Sequence, residues 1–589
     1  MNIEKERKTV LSYPRLKDYL EKRPEEKTKV LGYLKKMRAN FSHRVIGNLS
    51  KVLDIIMGLL YDGINLSLPE NMDFKKFCQE NHVVLVPNHQ SHADYMALNY
   101  AAYKHYRMSI YIAGGENLNI FPIGRIFRGS GCFFIKRTIT HNNTYRLTLE
   151  AYLYHLLTEG VPIEFFFEGG RSRTGRILPP RYGLYQMIVE AHSMLPPQFK
   201  KNLYFIPVSI VHEYVPEQKA LAMELQGKKK RKESLRQLFK LFKLFSYQLG
   251  NIHIKLAKPV IPFQMQDSRK AVEKLAFKCF RRVGKNMSVT PTSLLALILL
   301  DEPIGALKWH DIINKATRII DYCETFSISY VSSLNKKILK KTLGRTLDLL
   351  IGNGKINVIG NKTQGHVFYS IKWDSREELL YFKNTILHHF LVPWIVNLSW
   401  IGLFNGTIKS ENDLKRLFLG QRDQLKHEFY LPTVKEFFHL SLNIISHAVG
   451  KPFKNLNDCM QASHQDIFAV ASKIGVFAKA CSYISEGYYL SAITLEESTE
   501  KEAIALNREN FTKELEKIYK VEKQGNFIRY PESISKPIIN NSIKYFQHKK
   551  IIKTEKGIYH ILEPHKLNQL IENYKKNLKD QFSFNIQGF

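Results

Sequence analysis

The sequence predicts an α/β fold: a mixed, mostly parallel sheet with helices on both faces. A helical N-terminal segment precedes it, and a mostly α C-terminal domain with small β-hairpins follows. Three observations carry this expectation. Between His82 and about Pro262, short apolar runs alternate with amphipathic stretches, as in successive βαβ units. Up to about Ser67 the spacing of apolar residues is helical. Beyond about Asn286, long helical stretches take over, interrupted twice by a helix followed by a hairpin. The expected boundaries are 1–75 for the helical segment, 76–285 for the α/β domain and 286–589 for the C-terminal domain.

In chain order, Val45, Ile46, Leu49, Val52, Leu53, Ile56, Met57 and Leu60 fall at helical period, with Arg44, Lys51 and Asp54 between them. That is an amphipathic helix. Packing against the next domain is the favoured reading, and lying on a membrane surface is the alternative. Strands are expected at Val83–Val86, Ile110–Ala113, Phe133–Ile135, Ile163–Phe167, Leu203–Ile210 and Ile252–Leu256. Helices are expected near Tyr95–Lys104, Thr144–Thr158, Leu184–Ala191 and Ser234–Leu249. In the C-terminal part, Leu347–Gly354 leads into Lys355–Ile359 and Val367–Ile371, and Ser542–Phe546 leads into Ile551–Lys553 and Ile558–Leu562. On a basic chain this shape invites a winged-helix, nucleic-acid reading. No preceding helix offers Arg, Asn or Gln at base-reading positions, so that reading is not favoured.

Composition narrows the classes. The chain has 589 residues, 44% hydrophobic and 24% charged, which excludes wholesale disorder. A net charge of +33 favours an acidic partner: nucleic acid, an anionic membrane surface or an acidic carrier protein. The run Lys228-Lys229-Lys230-Arg231-Lys232 is the densest patch of that charge. Six scattered cysteines form no CxxC pair, so neither a disulfide framework nor a zinc knuckle is indicated, and a reducing compartment fits. The charged start, Met1 to Arg7, lacks the apolar core of a signal peptide. The longest charge-free run, Phe390 to Ile408, contains Pro393, Asn397, Ser399, Gly402 and Asn405. It reads as a buried helical hairpin rather than a membrane span, so any membrane role is expected to be peripheral.

The chemistry begins at Val83–Asp94, where an apolar strand ends in Pro87 and a polar turn, Asn88-His89-Gln90-Ser91-His92, opens a helix. Ligands and catalysis collect at such strand ends. His89 is read as a general base, with Asp94 accepting a hydrogen bond from its other ring nitrogen and fixing the tautomer. A second cluster is Gly131–Arg137. A third, Glu168-Gly169-Gly170-Arg171-Ser172-Arg173-Thr174-Gly175-Arg176, sets glycines among three arginines and two hydroxyls. Glycines allow close approach to the backbone, and arginines present forked donors to phosphate. The GxxxxGK[ST] spacing is absent, so this is an anion site without the signature of an NTPase. A metal hydrolase on His89, His92 and Asp94 is disfavoured, because His-x2-His-x-Asp is not a familiar ligand spacing. His92 is expected to support the loop.

These blocks, in this order, resemble the glycerol-3-phosphate acyltransferase family of the bacterial membrane type, related to the dihydroxyacetone-phosphate acyltransferases. The resemblance rests on Asn88–Tyr95, Gly131–Arg137, Phe167–Arg173 and Ile206–Ile210. Flanking text at Tyr61–Ile64 and Gly115–Asn119, and a later segment at Tyr381–His388, agrees with it. One departure is Lys136, where the family commonly has arginine. Lysine keeps the charge but loses the bidentate fork.

The resemblance implies an acyltransferase-type sheet and transfer of a fatty acyl group from an acyl-CoA or acyl-carrier-protein thioester to the sn-1 hydroxyl of glycerol 3-phosphate. No cofactor is implied. It also implies that Lys136, Arg137, Glu168, Gly169, Arg171, Ser172 and Arg173, with Arg128 as a further phosphate contact, surround the phosphate substrate. Pro207 would border the acyl channel, and Cys132 would pack rather than attack. A peripheral place on the cytoplasmic face of the cell membrane is expected. The alternatives are transfer to dihydroxyacetone phosphate or lysophosphatidate, and a non-enzymatic basic protein that binds membranes or nucleic acid.

Overall fold

A computed structural model of the chain describes residues 3–136, 142–215, 217–225, 249–302, 306–360, 367–500 and 506–583. They form two compact units. The first comprises Met1–Ser172, Ile177–Glu217 and Arg231–Thr290, and the second Arg173–Arg176, Gln218–Lys230 and Pro291–Phe589. Arg137, the basic run at Lys228–Lys232 and all but the last residue of the helix expected at Ser234–Leu249 lie outside the described residues.

The first unit starts with helices α1 (Ile3–Leu11), α2 (Pro14–Lys22), α3 (Lys27–Met37) and α4 (His43–Leu60). A βα alternation follows: β1 (Gly63–Ser67), α5 (Phe74–Glu80), β2 (His82–Pro87), α6 (Asp94–Tyr106), β3 (Tyr111–Gly115), α7 (Ile123–Gly129), β4 (Cys132–Ile135), α8 (Asn143–Thr158), β5 (Ile163–Glu164), α9 (Gly183–Ser193), β6 (Leu203–His212) and β7 (Asn251–Leu256). The seven strands make one sheet in the order β1-β7-β6-β2-β5-β3-β4. Every neighbouring pair is parallel except β6 with β7.

Residue types explain these positions. β2 is apolar throughout and buried at all six residues, as suits a central strand covered on both faces. β7 alternates instead, turning Ile252, Ile254 and Leu256 inward and Asn251, His253 and Lys255 outward. β1 was not anticipated. It is a five-residue edge strand with only Ile64 and Leu66 to mark it, too short for a periodic signal.

β5 is also shorter than the apolar run Ile163–Phe167 suggested. After Phe165 donates its N–H to the Leu85 carbonyl (3.1 Å), the chain leaves the sheet. The three phenylalanines pack instead against Tyr185, His89 and Phe280, with ring centroids 4.9, 4.2 and 6.0 Å apart respectively. Side-chain packing has taken over from strand pairing there.

The second unit is mainly helical, with antiparallel pairings at Ile356–Ile359/Phe368–Ile371 and Ile552–Glu555/Ile558–Ile561, both at the expected hairpins. The helices Pro291–Leu300 and Leu391–Phe404 are buried almost throughout. Among the described residues, no single helix is long and apolar enough to cross a membrane. Buried ion pairs join Arg376 to Glu532 (2.5 Å), Lys383 to Asp301 (2.8 Å), Lys355 to Glu378, and Arg176 to Glu428. Gly175 is required in this unit: its φ is +80°, and a Cβ would collide with the Tyr381 carbonyl.

Candidate active site

Parallel pairing carries the ends of β2, β3, β4, β5 and β6 to one edge of the sheet, so the residues that follow each strand gather there. Pro87 ends β2. Beyond it the Asn88 side chain continues the pairing with β6, donating to the Ile210 carbonyl (2.9 Å) and accepting from the Ile210 N–H (2.7 Å). A side-chain amide thus substitutes for the backbone and frees the next residue to turn out of the sheet.

That residue is His89. Its Nδ1–H donates to Asp94 Oδ2 at 3.0 Å. A carboxylate only accepts, so this bond fixes the proton on Nδ1 and leaves Nε2 as the basic nitrogen. Nε2 accepts from the Tyr95 hydroxyl at 2.9 Å. The imidazole lies over the Phe166 ring. Asp94 opens α6 and is wholly buried. Its Oδ2 also accepts the N–H groups of Gln90 (2.7 Å) and Ser91 (2.9 Å), and its Oδ1 accepts from His212 Nε2 (2.6 Å). Four donors therefore surround one carboxylate, a complete solvation shell supplied by the protein.

The protonation states follow from these contacts. Burial alone would raise the Asp94 carboxyl, but His212, then His89, hold it below the usual carboxylate range. Burial depresses the His89 imidazole and outweighs the opposing pull of Asp94. The pair is thus a neutral imidazole beside an anion, the state that a general base needs at neutral pH.

Block three meets block one through the backbone. Glu168 accepts the His89 N–H (3.1 Å) at one oxygen and the Leu178 N–H (3.3 Å) at the other. The Ser172 N–H donates to the His89 carbonyl (3.0 Å). Burial pushes Glu168 well above the usual carboxylate range. Gly169 has φ +67°, and a Cβ there would strike the Arg181 side chain. Arg171 is half-buried and close enough for its charge to act on His89.

The other expected residues are more dispersed. Lys136 follows β4, three strands from β2, a separation of about 14 Å at normal strand spacing. Its ammonium sits over the Tyr33 and Tyr145 rings at 5.3 and 5.2 Å. Arg173 is exposed and belongs to the second unit. Arg128 is engaged by the Lys36 and Arg38 carbonyls and by the Phe134 ring. Pro207 is buried in β6 opposite Val86, and its carbonyl accepts the Ala257 N–H (2.8 Å). His92 donates its backbone N–H to Glu217 (3.1 Å), in keeping with loop support. Burial pushes the Cys132 thiol up to about 12, unsuited to a nucleophile. Among the described residues, no cluster of His, Cys, Asp and Glu has the arrangement of a metal site.

A narrow cleft runs beside the base. Ile46, Leu49 and Leu53 of α4, Ile112 of β3, Phe127 of α7 and Tyr95 line it, so the phenol that touches His89 also forms the cleft wall. Its lining is mainly apolar, as in small-molecule sites. Pro207 is not among its lining residues.

Four participants carried no role in the sequence reading. They are Tyr95, Glu217, His212 and Glu164. Glu217 accepts the Ser91 hydroxyl at 3.0 Å. Glu164 is fully buried, neither carboxyl oxygen is hydrogen-bonded among the described residues, and burial raises its carboxyl well above the usual range. His212 did have a signal: it ends the strand that contains the fourth block, next to the strand that leads to His89.

A family model described as glycerol-3-phosphate acyltransferase C-terminal region matches residues 222–555, and an acyltransferase model matches residues 69–211. A glycerol-3-phosphate acyltransferase of Actinobacillus pleuropneumoniae serotype 5b is 30% identical over 396 residues, covering 64% of this chain and 46% of the relative. One from Glaesserella parasuis serovar 5 is 27% identical over 518 residues, covering 84% and 61%. This chain spans about half the length of the curated relatives it matches. Among solved structures, a 1-acyl-sn-glycerophosphate acyltransferase from Thermotoga maritima aligns over 41% of this chain and 78% of its own, at 18% identity and a TM-score of 0.25, too low to bear on the fold. With one family model covering more than half of its length and a second covering His89 and the strands from β2 to most of β6, the chain belongs to the glycerol-3-phosphate acyltransferase family.

Proposed function

We propose that this chain transfers a fatty acyl group from a coenzyme A or acyl-carrier-protein thioester to the sn-1 hydroxyl of glycerol 3-phosphate, giving lysophosphatidate. The observation that carries this reading is the basic Nε2 of His89, held by Asp94 and facing a hydroxyl at the wall of an apolar cleft. Family membership supplies the substrates.

In this mechanism, the acceptor hydroxyl displaces the Tyr95 phenol from Nε2. As its oxygen attacks the thioester carbonyl carbon, its proton passes to Nε2, and Asp94 stabilises the imidazolium. The carbon–sulfur bond then breaks, and the imidazolium returns the proton to the departing thiolate. Ester and thiol leave, His89 is neutral again, and no acyl-enzyme forms. The acyl chain occupies the cleft, where burying each CH2 contributes about 0.8 kcal/mol.

The phosphate dianion is assigned to Arg171, with Lys136 and Arg137 of block two as the family resemblance implies. Gly169 and Ser172 shape the backbone beside it, and Glu168 fixes that backbone to His89. Pro207 braces β6 rather than forming the acyl wall.

The same reading places the protein peripherally on an anionic membrane surface, at the cytoplasmic face. The net charge of +33 supports this, as do Ile55 and Leu59 on α4 and Phe121 before α7, which are 66, 54 and 69% exposed.

The test is an acyl-transfer assay with purified protein and anionic vesicles. It offers both thioester donors to glycerol 3-phosphate, dihydroxyacetone phosphate and lysophosphatidate. Glycerol 3-phosphate should give the highest kcat/KM. A preference for either other acceptor would reassign the substrate, and no transfer to any of the three would remove the proposal.

A further inference from the structure

The Asp94 carboxylate stands between two imidazoles, and only one of them reaches the reaction. His89 is hydrogen-bonded through Nδ1, and its other nitrogen faces Tyr95 and the cleft. His212 is bonded to Asp94 through Nε2, is wholly buried in its side chain, and its Nδ1 has no hydrogen-bond partner among the described residues. A buried polar atom left unpaired is costly, so the fold retains this imidazole in spite of one unsatisfied nitrogen. A phenylalanine of similar shape would avoid that cost but would leave Oδ1 without its donor.

From this geometry we infer that His212 is a positioning residue for the acyl-transfer base. It fixes the rotation and charge of Asp94, and through Asp94 the tautomer and basicity of His89. The inference rests on the reading of His89 as the base. The mechanism is electrostatic. With Oδ1 satisfied by the 2.6 Å bond, the carboxylate stays ionised in a buried site and its Oδ2 remains aimed at His89 Nδ1. The other titratable groups acting on this pair are Tyr61 at the end of α4, Glu164 on β5, Glu168 and Arg171 after β5, and Glu217 after β6. The acids among them oppose a negative charge on Asp94. Arg171 is the cation among them, and both imidazoles bond the carboxylate through their side chains.

The sign of the pH effect follows. Removing the His212 N–H makes Asp94 more basic, so it protonates at a higher pH. While Asp94 is still ionised, it also raises the basicity of His89. Both changes shift the acid limb of the kcat profile to higher pH. Loss of packing alone would lower thermal stability and leave that limb in place.

The experiment compares His212→Phe and His212→Gln with the unaltered protein, measuring kcat and the acceptor KM across pH, with His89→Ala in the same assay. A hydrogen bond to a charged group corresponds to roughly ten- to hundredfold in rate. His212→Phe should lose about that much in kcat with little change in KM, and its acid limb should move upward. His212→Gln, whose amide nitrogen can reach the position of Nε2, should recover most of both. If His212→Phe keeps its kcat within twofold and its acid limb unmoved while His89→Ala is inactive, the inference falls and the base assignment stands. If His89→Ala is active, the base assignment falls first. Nitrogen NMR of the unaltered protein gives a check independent of variant folding. His212 should carry its proton on Nε2 with Nδ1 bare, and a proton on Nδ1 alone would overturn the inference.

Discussion

Two buried acids, one in each unit, solve the same problem with different partners. Asp94 in the first unit is satisfied by two imidazoles and two backbone N–H groups. Glu428 in the second is satisfied by the Arg176 guanidinium and by the Tyr488 hydroxyl at 3.1 Å. Both side chains are removed from water. A guanidinium is a permanent cation, so the second arrangement is a fixed ion pair with no proton to give. An imidazole can change its charge near neutral pH, so the first can take and return a proton. Burial alone does not mark a reactive acid in this protein; the identity of its partner does.

The difference sharpens the reading of Glu168–Arg176, which looked like one anion-binding cluster in the sequence. Its first part is tied to His89 through Glu168 and Ser172. Its last arginine is used inside the second unit, where Arg176 also lies over the Phe429 ring at 4.7 Å and within 3.5 Å of the Tyr483 hydroxyl. Arg176 and Arg171 should therefore fail in different ways.

Arg176→Met leaves Glu428 as an uncompensated buried charge. It should cost about 3–5 kcal/mol of stability, read as a lowered denaturation midpoint, with the acceptor KM of the folded fraction unchanged. Adding Glu428→Gln should restore part of that loss. A normal midpoint with a raised KM would instead return Arg176 to the phosphate site. The smaller effect is that of Arg171→Ala. It should raise the KM for glycerol 3-phosphate roughly tenfold, about 1.4 kcal/mol, with kcat and stability little changed. An unmoved KM would place the phosphate elsewhere.

Much of the first unit was legible because its strands are central and apolar. Val83–Val86 and Leu203–Ile210 leave little choice between strand and helix once the flanking turns are seen, and both were found within two residues of their ends. β1 and the early exit of the chain after β5 were not legible. A short edge strand has almost no periodic signal, and Phe165–Phe167 leave the sheet because rings from other elements receive them.

The site divides in the same way. His89 and Asp94 are five residues apart, and their hydrogen bond is a local event that spacing can suggest. The His212–Asp94 bond joins residues 118 apart in sequence, and only the β2–β6 pairing brings them together. The stripe on α4 was read as packing. Ile46, Leu53 and Met57 are buried, while Val52, Ile55 and Leu59 on the same helix are exposed, so one periodicity served two faces.

The most direct test of the central claim is the kcat of His89→Ala for acyl transfer to glycerol 3-phosphate, measured with its thermal midpoint. A general base contributes roughly 10²–10⁴-fold. The account predicts a loss in that range or greater, in a protein that still folds and still binds glycerol 3-phosphate. A folded His89→Ala protein with kcat within about threefold of the unaltered enzyme, well short of that loss, would contradict it.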